Sequence, residues 1–202
     1  MSSFVSDIGA ITWFVLIWLS IYFIANIWIF LWRFFKLSNI IALEKNTLEL
    51  LYSNHLPIRK SIFFSILDSK KYINVEVLNV YKLEAVKKAT AGLSMLSVIS
   101  STAPFIGLFG TVIEILQAFY HLGGDGKISF DVIAPIISKA LVATAFGILT
   151  AIPAYSFYIL LRRKAYEFTT YLDMQINIIV STKNTDSKNV DSQSIDSKIT
   201  LK

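Results

Sequence analysis

Cysteine is absent from the 202 residues, which excludes disulfides, thiolate catalysis and cysteine-based metal sites, and leaves the redox compartment unreadable. Histidine is scarce. His55 and His121 show neither HxxxH nor HExxH spacing, so histidine-based metal catalysis is not expected. Charge is scarce too: 16% of residues are Asp, Glu, Lys or Arg, against about a quarter in an ordinary soluble domain. No nucleophile–base pattern and no phosphate-binding loop occurs, so no enzyme activity and no cofactor are expected.

What is present is apolar. Hydrophobic residues make up 54% of the chain and the mean hydropathy is +0.59, which points to a lipid bilayer as the solvent. The net charge of +5 does not indicate nucleic acid, because the cations collect in blocks flanking apolar runs, as orientation signals do.

The chain divides on that pattern. Residues 8–32 carry no charge, enough at about 1.5 Å per residue to cross a hydrocarbon core of roughly 30 Å. Trp13, Trp28 and Trp32 lie toward the ends of this run, where interfacial rings are favoured. It lacks a basic n-region and exceeds a signal-peptide core, so it is expected to be a retained first helix after a short segment 1–7. Residues 33–88 hold ten Lys/Arg and five Asp/Glu and read as a helical loop. Leu43, Leu50 and Leu51, then Val77, Leu78, Tyr81 and Ala85, recur at helical spacing on either side of Pro57.

Residues 89–124 form a second span with an extension, ended by the turn residues Gly123-Gly124-Asp125-Gly126. Residues 125–131 are a short loop, with Asp131 an expected N-cap for a third span over 132–161, and Pro135 near its first turn. Beyond Arg162-Arg163-Lys164 the third helix is expected to continue over 162–180. Ala165, Phe168, Leu172, Ile176 and Ile179 make a stripe there for which a second copy of the chain is a natural partner. Residues 181–202 contain Asp-Ser at 186, 191 and 196 and read as a disordered tail. The segment before the first span has no Lys or Arg and the short loop has one, against ten in the long loop and seven in the C-terminal part. The N-terminus and short loop are therefore expected outside, the long loop and C-terminus inside.

Two charges interrupt the apolar spans. Glu114 is the one carboxylate or amine in 89–124, and Lys139 the one in 132–161. Glu114 is eight residues before Leu122 and Lys139 eight residues beyond Asp131, or roughly 12 Å into the membrane. An ionisable group at such depth costs about 2.5–3.5 kcal/mol on insertion scales and is a functional-site hypothesis by default. Opposite signs at matched depth favour an ion pair, across the hairpin or to a neighbouring subunit; a proton relay at Glu114 is the competing use. Ser97, Ser100, Pro104, Gly107 and Thr111 form a small, partly polar stripe on the second span. Either close helix packing or a polar pore lining explains it. Thr111 and Thr144 lie at similar depth, roughly 16–20 Å in. A threonine hydroxyl donates, accepts and holds water without ionising.

The run from Ser100 to Val112, SSTAPFIGLFGTV, resembles the second-helix signature of the ExbB/TolQ/MotA proton-channel family. The run ALVATAFG from Ala140 to Gly147, followed by Ala151-Ile152-Pro153-Ala154, resembles its third-helix signature. The resemblance covers roughly residues 88–163 well. It implies an all-α inner-membrane protein of three transmembrane helices with long cytoplasmic helices, assembled as a ring taken to be a pentamer. The ring encloses a dimer of single-span ExbD/TolR-like partners whose aspartate carries protons. Proton flow works on a TonB- or TolA-like protein, and Thr111 and Thr144 match the family's pore threonines. The short N-terminal segment leans toward the TolQ-like variant over the ExbB-like one. Family members carry a glutamate where this chain has Lys139 and a small residue where it has Glu114, so the sign is exchanged between helices. A structural scaffold without ion flux and a small solute transporter are the alternatives; three spans without paired repeats weigh against the transporter.

Overall fold

The computed structural model describes residues 10–53, 55, 57–64, 67, 74–122 and 130–199. Four helices dominate them: α1 (Ala10–Tyr52), α2 (Val75–Thr90), α3 (Leu93–Leu122) and α4 (Phe130–Ile199). Three stretches are long and apolar enough to cross a membrane: Ile11–Tyr52, Val75–Tyr120 and Ile133–Thr182. The protein is an all-α, multi-pass membrane protein.

Helix lengths follow from where the breakers fall. No glycine or proline occurs within the 43 residues of α1, so the helix runs without a break from the charge-free span into the polar segment. Pro57, buried, follows its end and separates it from α2. The second span is not one helix from Ala89, as the sequence pattern suggests. It breaks at Ala91-Gly92, where Ala91 has φ −58° and ψ 134° and Gly92 has φ +89°. That is the pattern of a type II turn, whose third residue favours glycine. A Cβ on Gly92 would also lie 3.3 Å from Nε of Arg33.

The backbone of α4 is helical for 70 residues, to Ile199. The tail that composition marks as disordered beyond Ser181 thus differs from the structure: no glycine or proline follows Pro153, and helical hydrogen bonds close locally whatever the apolar content. The helix begins at Phe130, which puts Asp131 in its first turn rather than at the N-cap. Most of the expected 125–131 loop, and segment 1–7, lie outside the described residues.

The chain folds as two compact units. One comprises residues 1–34 and 92–161. Its core is made of Val15, Leu19, Ala103, Ala143 and Ala151, and of Leu93, Leu96 and Leu161 beside a stack of Phe30 on Phe157 with centroids 4.0 Å apart. The other comprises residues 35–91 and 162–202. Here the α4 stripe Ala165, Phe168, Leu172, Ile176 and Ile179 buries against Leu37, Ile41, Phe63 and Leu78. The stripe that suggests a second copy as its partner is therefore covered by its own chain.

A fully buried carboxylate, Glu44, sits in this second unit. It accepts hydrogen bonds from the Ile62 backbone N–H at 3.1 Å and from Nε2 of Gln175 at 2.9 Å. Gln175 Nε2 also donates to the Glu44 carbonyl. One acid thus ties α1 to the segment after Pro57 and to α4. Burial pushes its carboxyl above the ordinary range, and the hydrogen bonds from Gln175 and Ile62 pull it partly back. Lys82 of α2 pairs with Asp173 of α4 in the same unit.

Candidate functional site: the α3–α4 crossing

In the first unit α3 and α4 cross with their backbones almost in contact. A Cβ on Gly107 would stand 2.6 Å from the Ala143 carbonyl oxygen, and one on Gly147 2.7 Å from that of Ala103. Gly110 is nearly as tight, with Val15 of α1 at 3.2 Å and Cβ of Ala143 at 3.3 Å. Small residues are needed here because apolar surface gives no drive for association in lipid; the gain comes from close backbone packing.

The two threonines meet at this crossing. Thr111 Oγ1 lies 2.6 Å from Thr144 Oγ1, 3.0 Å from the Ala140 carbonyl and 3.2 Å from the Gly107 carbonyl. A hydroxyl has one proton to give. Both carbonyls only accept, so the Thr111 proton goes to them, and Thr144 donates its own to Thr111. The result is a directed chain from Thr144 through Thr111 to Ala140. Thr111 is 6% exposed and Thr144 half-buried. The similar depth of the two threonines along the sequence corresponds to a contact within one chain.

The rest of the stripe divides by role. Gly107 is buried and Pro104 half-buried, with the Pro104 Cα 3.3 Å from a Cβ built on Gly147. Both serve the close approach to α4. Ser97 and Ser100 are half-buried, and the Ser100 hydroxyl turns back to the Ser97 carbonyl at 2.8 Å. Glu114, one turn beyond Thr111, is 9% exposed, and its Oε2 has no hydrogen-bond partner. Lys139 precedes Ala140, the acceptor of Thr111, and is half-buried.

Some residues that matter here do not stand out in the sequence. Gly110 and Gly147 lie inside the two family motifs without being distinguished by them, although each lies against the neighbouring helix. Thr12 and Asn26 of α1 are 1% and 0% exposed, and neither the Thr12 hydroxyl nor the Asn26 amide has a hydrogen-bond partner. Their one signal is that both are polar residues in a span without charge.

Residues 58–174 match the MotA/TolQ/ExbB proton channel family. The chain belongs to that family. It is 46% identical over 183 residues to the putative biopolymer transport protein ExbB-like 1 of Helicobacter pylori, covering 89% of this chain and 96% of that protein. It is similar also to the biopolymer transport protein ExbB of Neisseria gonorrhoeae, 36% identical over 122 residues, 60% of this chain and 55% of the relative. A biopolymer transport protein ExbB of Helicobacter pylori is 39% identical over 108 residues, 54% of this chain and 70% of the relative.

The span matched to the MotA/TolQ/ExbB family contains the whole glycine–threonine crossing and α2, and it stops short of the α4 tail. It leaves out the whole of α1, whereas the ExbB-like relative matches over 89% of this chain. This family is one of proton channel and transport subunits rather than of enzymes.

Proposed function

We propose that the chain is the ring-forming subunit of an inner-membrane motor driven by the proton gradient. A homo-oligomer, a pentamer on the family resemblance, surrounds a dimer of single-span partners of the ExbD/TolR kind. Each partner carries an intramembrane aspartate. The motor acts on a TonB- or TolA-like protein. The N-terminus and the short 125–131 loop face the periplasm, and the polar segment after Arg33 and the C-terminus face the cytoplasm, as the Lys/Arg asymmetry supports.

The observation that carries this reading is the Thr144–Thr111–Ala140 hydroxyl chain inside a three-span unit of a proton channel family member. The hydroxyls supply polar groups beside which a partner's aspartate can take up and release a proton. The three relatives above carry ExbB names, which supports the TonB-linked variant over the Tol-linked one. Glu114 and Lys139 act as a charge pair, exchanged in sign relative to the family pattern, that stabilises the spans.

The test is reconstitution. The chain is co-expressed with a single-span partner encoded beside it and placed in liposomes, and proton leak and ring stoichiometry are measured. Leak that requires both proteins and falls in Thr144→Val supports the motor. A stable monomer that never binds such a partner overturns it. One observation favours a scaffold without ion flux: the Thr111 proton is already used within the helix crossing. Intact rings with no leak in either direction would select that reading.

A further inference from the structure

Two buried polar atoms without hydrogen-bond partners sit at one level of the first unit. One is Oγ1 of Thr12, on α1, and the other is Oε2 of Glu114, on α3. A Cβ on Gly110 would lie 3.2 Å from both Cγ atoms of Val15, and one on Gly92 would lie 3.7 Å from Ile29. Residue numbers therefore rise along α3 as they fall along α1, and the two helices run antiparallel. Thr12 is three residues before Val15 and Glu114 four after Gly110. Both steps stay on the contacting faces and move the same way, by about 4.5 and 6 Å. The two side chains thus come level to within about 2 Å. Burial agrees with a shared seam: Thr12 is 1% and Glu114 9% exposed.

The chemistry is complementary. Threonine carries a hydroxyl donor, and a carboxyl oxygen can accept from it. Leaving both unpaired in a membrane interior is costly. On α4 the facing charged group is Lys139, within about one helical turn of this level through the Thr111–Ala140 hydrogen bond. No other charged group faces Glu114 from the described residues of α1, whose charges begin at Arg33.

We propose that the Thr12 hydroxyl donates a hydrogen bond to Oε2 of Glu114 and is a positioning residue for that carboxylate. The first span thereby contributes one polar contact to the layer one turn beyond the threonine pair. Thr12 sets the direction of the Glu114 side chain within the α1–α3 seam. The importance of this contact for transport rests on the proton-channel reading; the contact itself does not.

The test uses the full chain in lipid nanodiscs and the infrared stretch of the Glu114 carboxyl group, identified by its loss in Glu114→Gln. If that variant fails to fold, Glu114→Asp identifies the band by moving it. Thr12→Val, which keeps the shape and removes the donor, displaces the band, and Thr12→Ser returns it to the wild-type position. A band unchanged in Thr12→Val overturns the contact. So does a displacement that Thr12→Ser fails to reverse, which assigns the effect to packing. Absence of proton leak with the partner would defeat the proton-channel reading while leaving this spectral result standing.

Discussion

The hydroxyls of Thr111 and Thr144 lie 2.6 Å apart, although 33 residues separate them in the chain. Their hydrogen bond has a direction, because two carbonyls claim the Thr111 proton and leave Thr144 as donor. The two residues are therefore unequal, and substitution separates them. Thr144→Val removes one donor and leaves Thr111 satisfied by Ala140, so it should cost about 0.5–1.5 kcal/mol. Thr111→Val removes the interhelical bond to Ala140 and strips Thr144 of its partner, and should cost about twice that. Thermal unfolding of the two variants in the same lipid checks the ranking.

The glycines of the crossing should rank by what they face. Gly107→Ala and Gly147→Ala meet backbone carbonyl oxygens at 2.6 and 2.7 Å, which cannot move without displacing a helix. Each should cost about 1–3 kcal/mol or more, the range for overpacking. Gly110→Ala meets side chains at 3.2–3.3 Å and should be milder. Disulfide trapping between cysteines placed on α3 and α4, with melting temperatures beside it, would show whether the helices separate in that order.

Glu44 gives a pH dependence with a definite sign. Burial holds its folded carboxyl above the ordinary value, so the folded state binds a proton more readily than the unfolded chain. Its contribution is therefore greatest below the ordinary carboxylate range and is lost as the pH rises through the raised folded value. Glu44→Gln removes the charge and should flatten that part of the stability profile. Glu44→Ala leaves the Ile62 N–H and the Gln175 amide without their acceptor, and should cost about 2–4 kcal/mol through unpaired groups and a cavity. Unfolding followed across a pH series for the three chains measures both effects.

Exchange of the intramembrane charges tests the pair. Glu114→Gln or Lys139→Gln alone should impair assembly or proton leak, because each strands its partner charge. Glu114→Lys combined with Lys139→Glu should recover part of the loss. An exchanged pair no better than either single change would show that the two charges do not serve each other.

Much of the architecture is legible in the amino-acid sequence. The charge-free run over 8–32 and the two spans with one charge each follow from what a bilayer tolerates, and the described residues hold three helical stretches long and apolar enough to cross one. The periodic stripe Ala165, Phe168, Leu172, Ile176 and Ile179 is visible as a buried face, but not what buries it. Periodicity reports that a face is covered, and a same-chain helix covers it as well as a second copy does. The break at Ala91-Gly92 is hidden because one glycine in a helical pattern is ordinarily tolerated; only its φ of +89° shows a turn.

Sequence alone determined the apolar composition, the three stretches able to cross a bilayer, and the motifs by which the family is known. These depend on local composition and on rise per residue, which need no partner to compute. Tertiary structure decided which groups meet. Rotation about each helix axis and the closeness of the Gly107–Ala143 approach bring Thr111 onto Thr144 and the Ala140 carbonyl, set Glu44 against Gln175 across 131 residues, and place Thr12 level with Glu114. Those pairings arise from packing between distant segments, and no local pattern in the chain encodes them.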